Sequence, residues 1–344
     1  MKNFMKGLAL VAAALILIPL IPAIMSVKSD DGTVAPQNIT DAVAAMAIMQ
    51  DDMNCKFIDT VKIYNVESGE ALSVTIEDFL SAAMLGAISP TAEPELLKAQ
   101  CVLMYTYILG KRMRSIYSPD ADIEGCDIST DSQKYIRLVW QDEADELYSE
   151  QLPEYKTKVQ SAIESCKGEY LACDGRAIVP AYCFSCGGVT ESAKTVLGED
   201  VPYLLSVESE YDSGYVTEAV YLKDELFARL AMAQPSITLM GEAKDWIAIS
   251  EINDTGYVKQ LILDGEHTIS GTDFASLLGL PSARFTFKYS EKFESFTFKV
   301  SGVGHLVGLS QYGANEMAKR GSGYEEMLKK YFTGVEIVKS NGIE

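Results

Sequence analysis

The chain has 344 residues, enough for one large domain or two average ones with a full core, and 49 acidic against 29 basic side chains give it a net charge of −20. That balance excludes nucleic acid as a partner, since nucleic acid calls for a basic surface, and it excludes peripheral binding to anionic lipid. A glycan ligand, read mainly through hydrogen bonds and stacking, stays open, and 18 tyrosines suit either such a surface or ordinary half-buried strands.

The first stretch reads as a membrane element. Lys2 and Lys6 flank an uncharged run from Gly7 to Met25, which at about 1.5 Å per residue nearly crosses a hydrocarbon core. A cleaved signal peptide is the rival reading, but the apolar run exceeds the usual signal core and no A-x-A site precedes Ser26. The expectation is an uncleaved signal-anchor over residues 1–26 with its basic end cytoplasmic. That makes a single-pass protein of the cell membrane with its C-terminal domain extracytoplasmic. Asp, Gly, Pro and Asn mixed with an alanine-rich segment make residues 27–55 a stalk, and a folded domain is expected over 56–340.

Within that domain Val61, Ile63 and Tyr64-Asn65-Val66 predict a first strand ending at the Ser68-Gly69 turn. Thr75 followed by Asp78 is a capping box opening a helix through about Gly86, with Ile76, Phe79, Leu80, Ala83 and Met84 at helical spacing. Pro94 opens a second helix to about Arg112, and a third is expected over 155–165. Asp174-Gly175 predicts a two-residue hairpin between 169–173 and 176–181. Counting outward in that register sets Cys166 opposite Cys183 at a non-hydrogen-bonded site, where Cα atoms lie about 4.5 Å apart, within disulfide reach. Outside the membrane oxidation is permitted, so the two are disulfide candidates.

Alternating Phe296, Phe298 and Val300 predict a strand that feeds Gly304-His305-Leu306-Val307-Gly308-Leu309-Ser310-Gln311-Tyr312-Gly313-Ala314. Glycines there allow backbone angles closed to other residues, and a helix over 314–319 should stop at Gly321. His305, Ser310, Gln311 and Tyr312 should then hang on a strand-to-helix turn facing a cleft. Strands bunch after 166 and at 246–302, and helices at 76–112, 155–165 and 314–332. The class is α+β, one continuous domain with antiparallel sheet.

The 304–314 stretch resembles the GHGVGMSQYGA signature of the stage II sporulation protein D family (SpoIID/LytB). The similarity continues through Tyr324-Glu325-Glu326-Met327-Leu328 and Tyr331-Phe332-Thr333-Gly334-Val335. Three further segments match in order. Pro94-Glu95-Leu96-Leu97-Lys98-Ala99-Gln100-Cys101-Val102 is similar to LEALKAQAVAARTY. Residues 181–192 with Pro202-Tyr203-Leu204 are similar to FHSSSGGxTE followed by PYL, and Ile269-Ser270-Gly271 leads to a match through Ser282. Residues 113–150 and 212–250 match poorly, so the chain is identified as a divergent member. The resemblance implies peptidoglycan remodelling during engulfment in sporulation, with glycan strands as ligand, other sporulation wall enzymes or membrane proteins as partners, and no cofactor. It also implies a glycan cleft lined by His305, Ser310, Gln311 and Tyr312, with Ser185, Gly187 and Gly188 on the facing loop.

Proteins of this family look like lytic transglycosylases. One carboxylic acid protonates the leaving oxygen of the MurNAc–GlcNAc bond and then, as a base, helps the sugar's 6-hydroxyl close on C1. In the family this acid is a Glu eleven residues before the Lys-Ala-Gln triplet; counted back from Lys98-Ala99-Gln100, that position holds Ala87. A methyl group transfers no proton. Glu93 and Glu95 are the nearest substitutes, and Glu95 aligns with a second, non-catalytic family glutamate. The expectation is a glycan-binding protein or scaffold without cleavage; the alternative is an active lytic transglycosylase using a displaced carboxylate such as Glu93.

Some members bind zinc through a His/Cys cluster before the position of Tyr135. Here Cys126 stands with Ser129 in place of a second cysteine, short of the three or four ligands zinc takes, so no metal is expected. Ala275 replaces a usual arginine. Cys183 and Cys186 form a C-x-x-C without a thioredoxin-like βαβ pattern. Cys186 with His305 could be drawn as a peptidase pair, but nothing in the sequence orients the histidine; Cys186 reads as a small residue where relatives carry serine.

Overall fold

The computed structural model describes residues 55–117, 119–132, 134–233 and 237–342. The signal-anchor expected over 1–26, and the stalk as far as residue 54, lie outside them. Among the described residues no helix is long and apolar enough to cross a membrane.

The domain opens as its turn chemistry dictates. Strands β1 (Thr60–Asn65) and β2 (Glu70–Thr75) form an antiparallel hairpin, with Gly69 at φ 71° completing the turn. Thr75 caps helix α1 (Ile76–Ala87), its Oγ1 accepting the Asp78 N–H at 3.1 Å. Helix α2 (Pro94–Tyr117) runs longer than expected, because Leu96, Leu97, Val102, Leu103 and Ile108 are all buried and leave it no solvent face over its middle turns. It is the axis of a first core. Strand β3 (Ile128–Ser129) joins β1 in parallel, and helices α3 (Gln141–Tyr148) and α4 (Leu152–Ser165) follow; α4 packs on α1 and α2.

The Asp174-Gly175 hairpin forms between β4 (Glu169–Cys173) and β5 (Arg176–Ala177), both turn residues having positive φ and Cys173 facing Arg176. Its outward extension fails. After Ile178 donates to Leu171 the ladder ends, and Pro180 has no N–H to continue it. The chain leaves to form β6 (Tyr182–Cys183), which pairs in parallel with β13 (Leu309–Ser310), while Cys166 stays at the C-cap of α4. Both cysteines are buried free thiols, so the expected Cys166–Cys183 disulfide is not formed.

A short helix α5 (Ala193–Leu197) leads toward a second core. There β7 (Val216–Leu222), helix α6 (Lys223–Ala233), β8 (Ile247–Ile252), β9 (Val258–Leu263), β10 (His267–Ser270), helix α7 (Gly271–Leu278), β11 (Phe285–Ser290) and β12 (Ser295–Ser301) follow in order. Two antiparallel three-stranded sheets, β11-β12-β7 and β10-β9-β8, build it. Phe274, Phe285, Phe296 and Phe298 fill it, and Ala275 is buried there too. The chain returns to the first core through helices α8 (Gln311–Lys319) and α9 (Tyr324–Tyr331), and β14 (Glu336–Lys339) closes on β4. The class is α+β as expected, but the sheet is divided into several small ones and two pairings, β1–β3 and β6–β13, are parallel.

Candidate functional site

The 304–314 turn joins the cores: Leu306 packs in the second and Val307 in the first. Gly302, Gly304 and Gly308 all have positive φ, and a Cβ on Gly308 would lie 2.1 Å from the Ala181 carbonyl oxygen, so only glycine lets β13 approach β6. Leu306 also sits at φ 65°, an angle costly for a non-glycine residue and held here by full burial of its side chain. Ser310 is the N-cap of α8, its Oγ accepting the Gly313 N–H at 3.2 Å. The helix therefore starts at Gln311, three residues before the expected 314.

Two of the expected cleft residues turn inward. Ser185 Oγ donates to Asp212 Oδ1 at 2.6 Å, Ser310 Oγ donates to Asp212 Oδ2 at 2.6 Å, and the Cys186 N–H reaches the same Oδ2 at 2.6 Å. Ser185, Ser310 and Asp212 are fully buried. The two hydroxyls tie two chain segments, at 185–186 and at 310, to one carboxyl and cannot meet a sugar. Gly187 packs so that a Cβ would lie 2.5 Å from Ser301 Oγ; it and Gly188, both at positive φ and half-buried, serve the course of this loop. Asp212 escaped sequence reasoning because it lies in a poorly matching segment, one acidic residue among Glu208 and Glu210.

A second buried carboxyl braces the same loop from the other side. Arg284 pairs with Glu191 with both side chains buried, while its NH1 and NH2 also donate to the Cys186 and Val189 carbonyls. Asn253 Nδ2 donates to Glu191 at 2.9 Å and Thr255 adds its hydroxyl.

His305 lines a narrow and largely apolar crevice with Leu103, Met104, Ile136, Pro180 and Ala181. Its Nδ1 accepts the Val307 N–H at 3.0 Å. The ring also lies against the Tyr182 backbone. Burial pushes the imidazole down to about 4, the Tyr182 backbone opposing only in part. Nδ1 is thus committed to backbone. Burial, with the Asp212 carboxyl beside it, pushes the Cys186 thiol up to about 12, and burial pushes Cys183 up as well. Neither the peptidase pair nor a reactive C-x-x-C is assembled.

What remains accessible is aromatic. Tyr312 is 36% exposed on the first turn of α8, and its ring meets those of Phe184 and Tyr215, with centroids 6.5 and 5.9 Å away. Phe184 and Tyr215 themselves pack edge to face at 5.2 Å, and the Tyr312 N–H donates to the Phe184 carbonyl at 2.8 Å. The adjacent Gln311 points the other way, its Nε2 donating to the Ala87 carbonyl at 2.8 Å and to Gln100 Oε1 at 3.1 Å. The C-terminal end of α1, with half-buried Ala87, is therefore fastened one residue from the aromatic ledge.

Of the two nearby glutamates, Glu95 is fully engaged: it accepts from Lys98 Nζ at 2.6 Å and from the Tyr324 N–H at 3.0 Å, bracing the start of α9. Burial raises its carboxyl, but Lys98 and the Tyr324 N–H outweigh that and hold it below the ordinary value, the wrong direction for a general acid. Half-buried Glu93 is tied to α8 by its backbone N–H, which donates to Asn315 Oδ1 at 2.9 Å. Lys319 is held up first by its hydrogen bond to Glu316, with Glu93 and Tyr312 close enough to add to the effect.

The segment around Cys126 has no donor set for zinc. Arg112 and the Lys62 N–H take up the Asp127 carboxylate, Cys126 is buried with its thiol pushed up, and among the described residues no group of three His, Cys, Asp or Glu converges.

Comparison with known proteins agrees with the motifs. The SpoIID family model, described as a stage II sporulation protein, matches residues 64–172. The stage II sporulation protein D of Bacillus subtilis is 25% identical over 99% of this chain and 97% of its own length. That of Bacillus amyloliquefaciens is 24% identical over 82% and 79%. An amidase enhancer of Bacillus subtilis is 24% identical over 71% of this chain but only 38% of its own length.

Proposed function

Because the chain belongs to the stage II sporulation protein D family, a group of sporulation proteins related to the cell wall, we propose that it is a membrane-anchored, extracytoplasmic glycan-binding protein that does not itself cut glycan strands. The observation that carries this reading is the accessible ledge of Phe184, Tyr215 and Tyr312; Ala87, at the α1 end held by the neighbouring Gln311, offers no proton donor. Aromatic faces suit the apolar faces of sugar rings. General acid help contributes roughly 10²–10⁴-fold to such reactions, and a methyl group contributes none. The uncharged run from Gly7 to Met25 supports anchoring, and the acidic surface is no obstacle to a glycan ligand.

A second reading has one feature in its favour. Glu93 is tied to α8 through its backbone N–H, and its charge, like the Tyr312 hydroxyl, acts on Lys319 of that helix, so it is the carboxyl this reading would use. One experiment separates the two. Detergent-solubilised full-length protein is incubated with peptide-free glycan strands, and both co-sedimentation and anhydro-MurNAc ends are measured. Binding weakened about tenfold by Tyr312→Ala, without new anhydro ends, is the expected result. Anhydro ends that vanish on Glu93→Gln would establish the enzyme instead.

A further inference from the structure

The second core carries a surface that the glycan ledge does not use. Strand β7 is an edge of the β11-β12-β7 sheet, seven residues long and in unbroken register with β12. Edge strands are ordinarily shielded by proline, lysine, a bulge or a covering element. This one, VTEAVYL, has no proline or lysine and a single charge, Glu218.

Its hydrogen-bonding directions follow from its ends. The Gly302 N–H donates to the Tyr215 carbonyl and the Lys223 N–H to the Glu294 carbonyl, so 215 and 223 are in bonded pairs with the β12 side. By alternation 217, 219 and 221 face β12, while 216, 218, 220 and 222 direct their backbone groups to the open edge. The side chains at those outward positions are exposed too: Val216 by 42%, Val220 by 61% and Leu222 by 59%. Among the described residues, open ladder positions and an apolar strip thus coincide.

We propose that β7 is a self-pairing strand, at which a second copy of this chain adds edge to edge and antiparallel about Ala219. In that register Val216 meets the partner's Leu222 and Glu218 meets the partner's Val220, so every outward position has an outward mate and the two Glu218 carboxylates do not confront each other. At Val216 the carbonyl alone is available, because its N–H is already bound to Gly214. Centring the pair on Glu218 would set like charges directly opposite, which is destabilising. The small Ala219 falls on the two-fold axis, and such self-complementary contacts are the usual geometry of dimers. Two chains of charge −20 repel, so pairing strengthens as salt screens that repulsion. Tyr215, at the start of β7, then borders the seam, so the dimer sets two ledges on one continuous sheet.

The register makes the test specific. Ala219 faces the partner's Ala219 at a non-hydrogen-bonded site, close enough for a disulfide. Full-length Ala219→Cys protein in detergent, mildly oxidised, is expected to give a covalent dimer whose yield rises with salt. Thr297→Cys on the central strand β12 and the unmodified chain with its seven cysteines set the background. Adding Val220→Lys, or Leu222→Lys as a second exposed site, should lower the dimer yield about tenfold at unchanged circular dichroism. Sedimentation of the unmodified protein should show the same salt-dependent dimer. Cross-linking of Ala219→Cys no greater than that of Thr297→Cys, or equal yield with Val220→Lys, would overturn the proposal and leave the edge to a different polypeptide.

Discussion

Two buried carboxyl groups, Asp212 and Glu191, grip the same loop, and they do it by different physics. Asp212 is held by two serine hydroxyls and one backbone N–H, none of them charged. Glu191 neutralises the Arg284 guanidinium in a pair almost sealed from water. The first is a hydrogen-bond knot whose donors are individually replaceable; the second is an ion pair in which either partner alone becomes a buried, uncompensated charge. The loop that carries the Phe184 edge of the ledge depends on both, so the difference predicts which changes dismantle the site and which only loosen it.

The largest effect is expected at the ion pair. Glu191→Gln leaves the Arg284 guanidinium buried without its counter-charge and should destabilise the protein by about 3–5 kcal/mol, read as a shifted midpoint in chemical denaturation. Arg284→Met should cost a similar amount for the mirror reason. The double variant Glu191→Leu/Arg284→Met should recover much of the loss, because two apolar side chains need no compensation. A double variant whose cost equals the sum of the singles would mean that the two residues act separately and that the contrast with Asp212 is misplaced.

Only one of these two grips was partly legible beforehand. Glu191 lies in a segment that the family motif marks, whereas Arg284 follows the last matched residue and Asp212 sits in a region without match. The local elements were readable because each rests on chemistry confined to a few neighbours: the Thr75–Asp78 cap, the Asp174-Gly175 turn, the glycines of the 304–314 turn. The inward rotation of Ser185 and Ser310 was not readable, since it depends on Asp212 arriving from a distant stretch; the exposed Tyr312 and the buried Ser310 are two positions apart and look alike in sequence. The Cys166–Cys183 register failed for a related reason. Strand β6 finds a better partner in β13 more than a hundred residues away than in its own hairpin, and hairpin counting has no means of weighing that competition.

His305, on the turn that Asp212 holds through Ser310 and that takes the Glu191 backbone N–H at Leu306, gives an intermediate effect and a pH-dependent one. Its folded value lies at about 4, against about 6.5 when unfolded, so as pH falls the unfolded chain takes up the proton first. The stability contributed by the neutral ring is therefore complete above about pH 6.5 and is lost progressively toward pH 4, by up to about 3 kcal/mol. Protonating Nδ1 would also cost the Val307 N–H its acceptor. His305→Gln should flatten this part of the stability profile. An unmodified protein equally stable at pH 7 and pH 4.5 would show that the ring is hydrated, and that the crevice is no part of the brace.

The smallest effect should come from Asp212→Asn. The remaining amide oxygen can keep the Cys186 N–H, which has no freedom to turn and needs an acceptor. The new amide N–H groups need acceptors instead, and the Ser185 hydroxyl can supply one by rotating from donor to acceptor. Ser310 faces the same oxygen position as the Cys186 N–H, so its hydroxyl goes on donating there while its oxygen caps α8. The expected cost is about 1 kcal/mol, the worth of one ordinary hydrogen bond, with glycan binding at the ledge little changed. Asp212→Ala removes the carboxyl altogether, taking the acceptor of the buried Ser185 hydroxyl and leaving the Cys186 N–H only its longer bond to Ser310 Oγ at 3.3 Å; it should cost about 1–3 kcal/mol, and the ledge should weaken with it, since Phe184 lies next to Ser185. If Asp212→Asn proves as damaging as Glu191→Gln, the knot holds a charge that its neighbours require, and the two grips are alike after all.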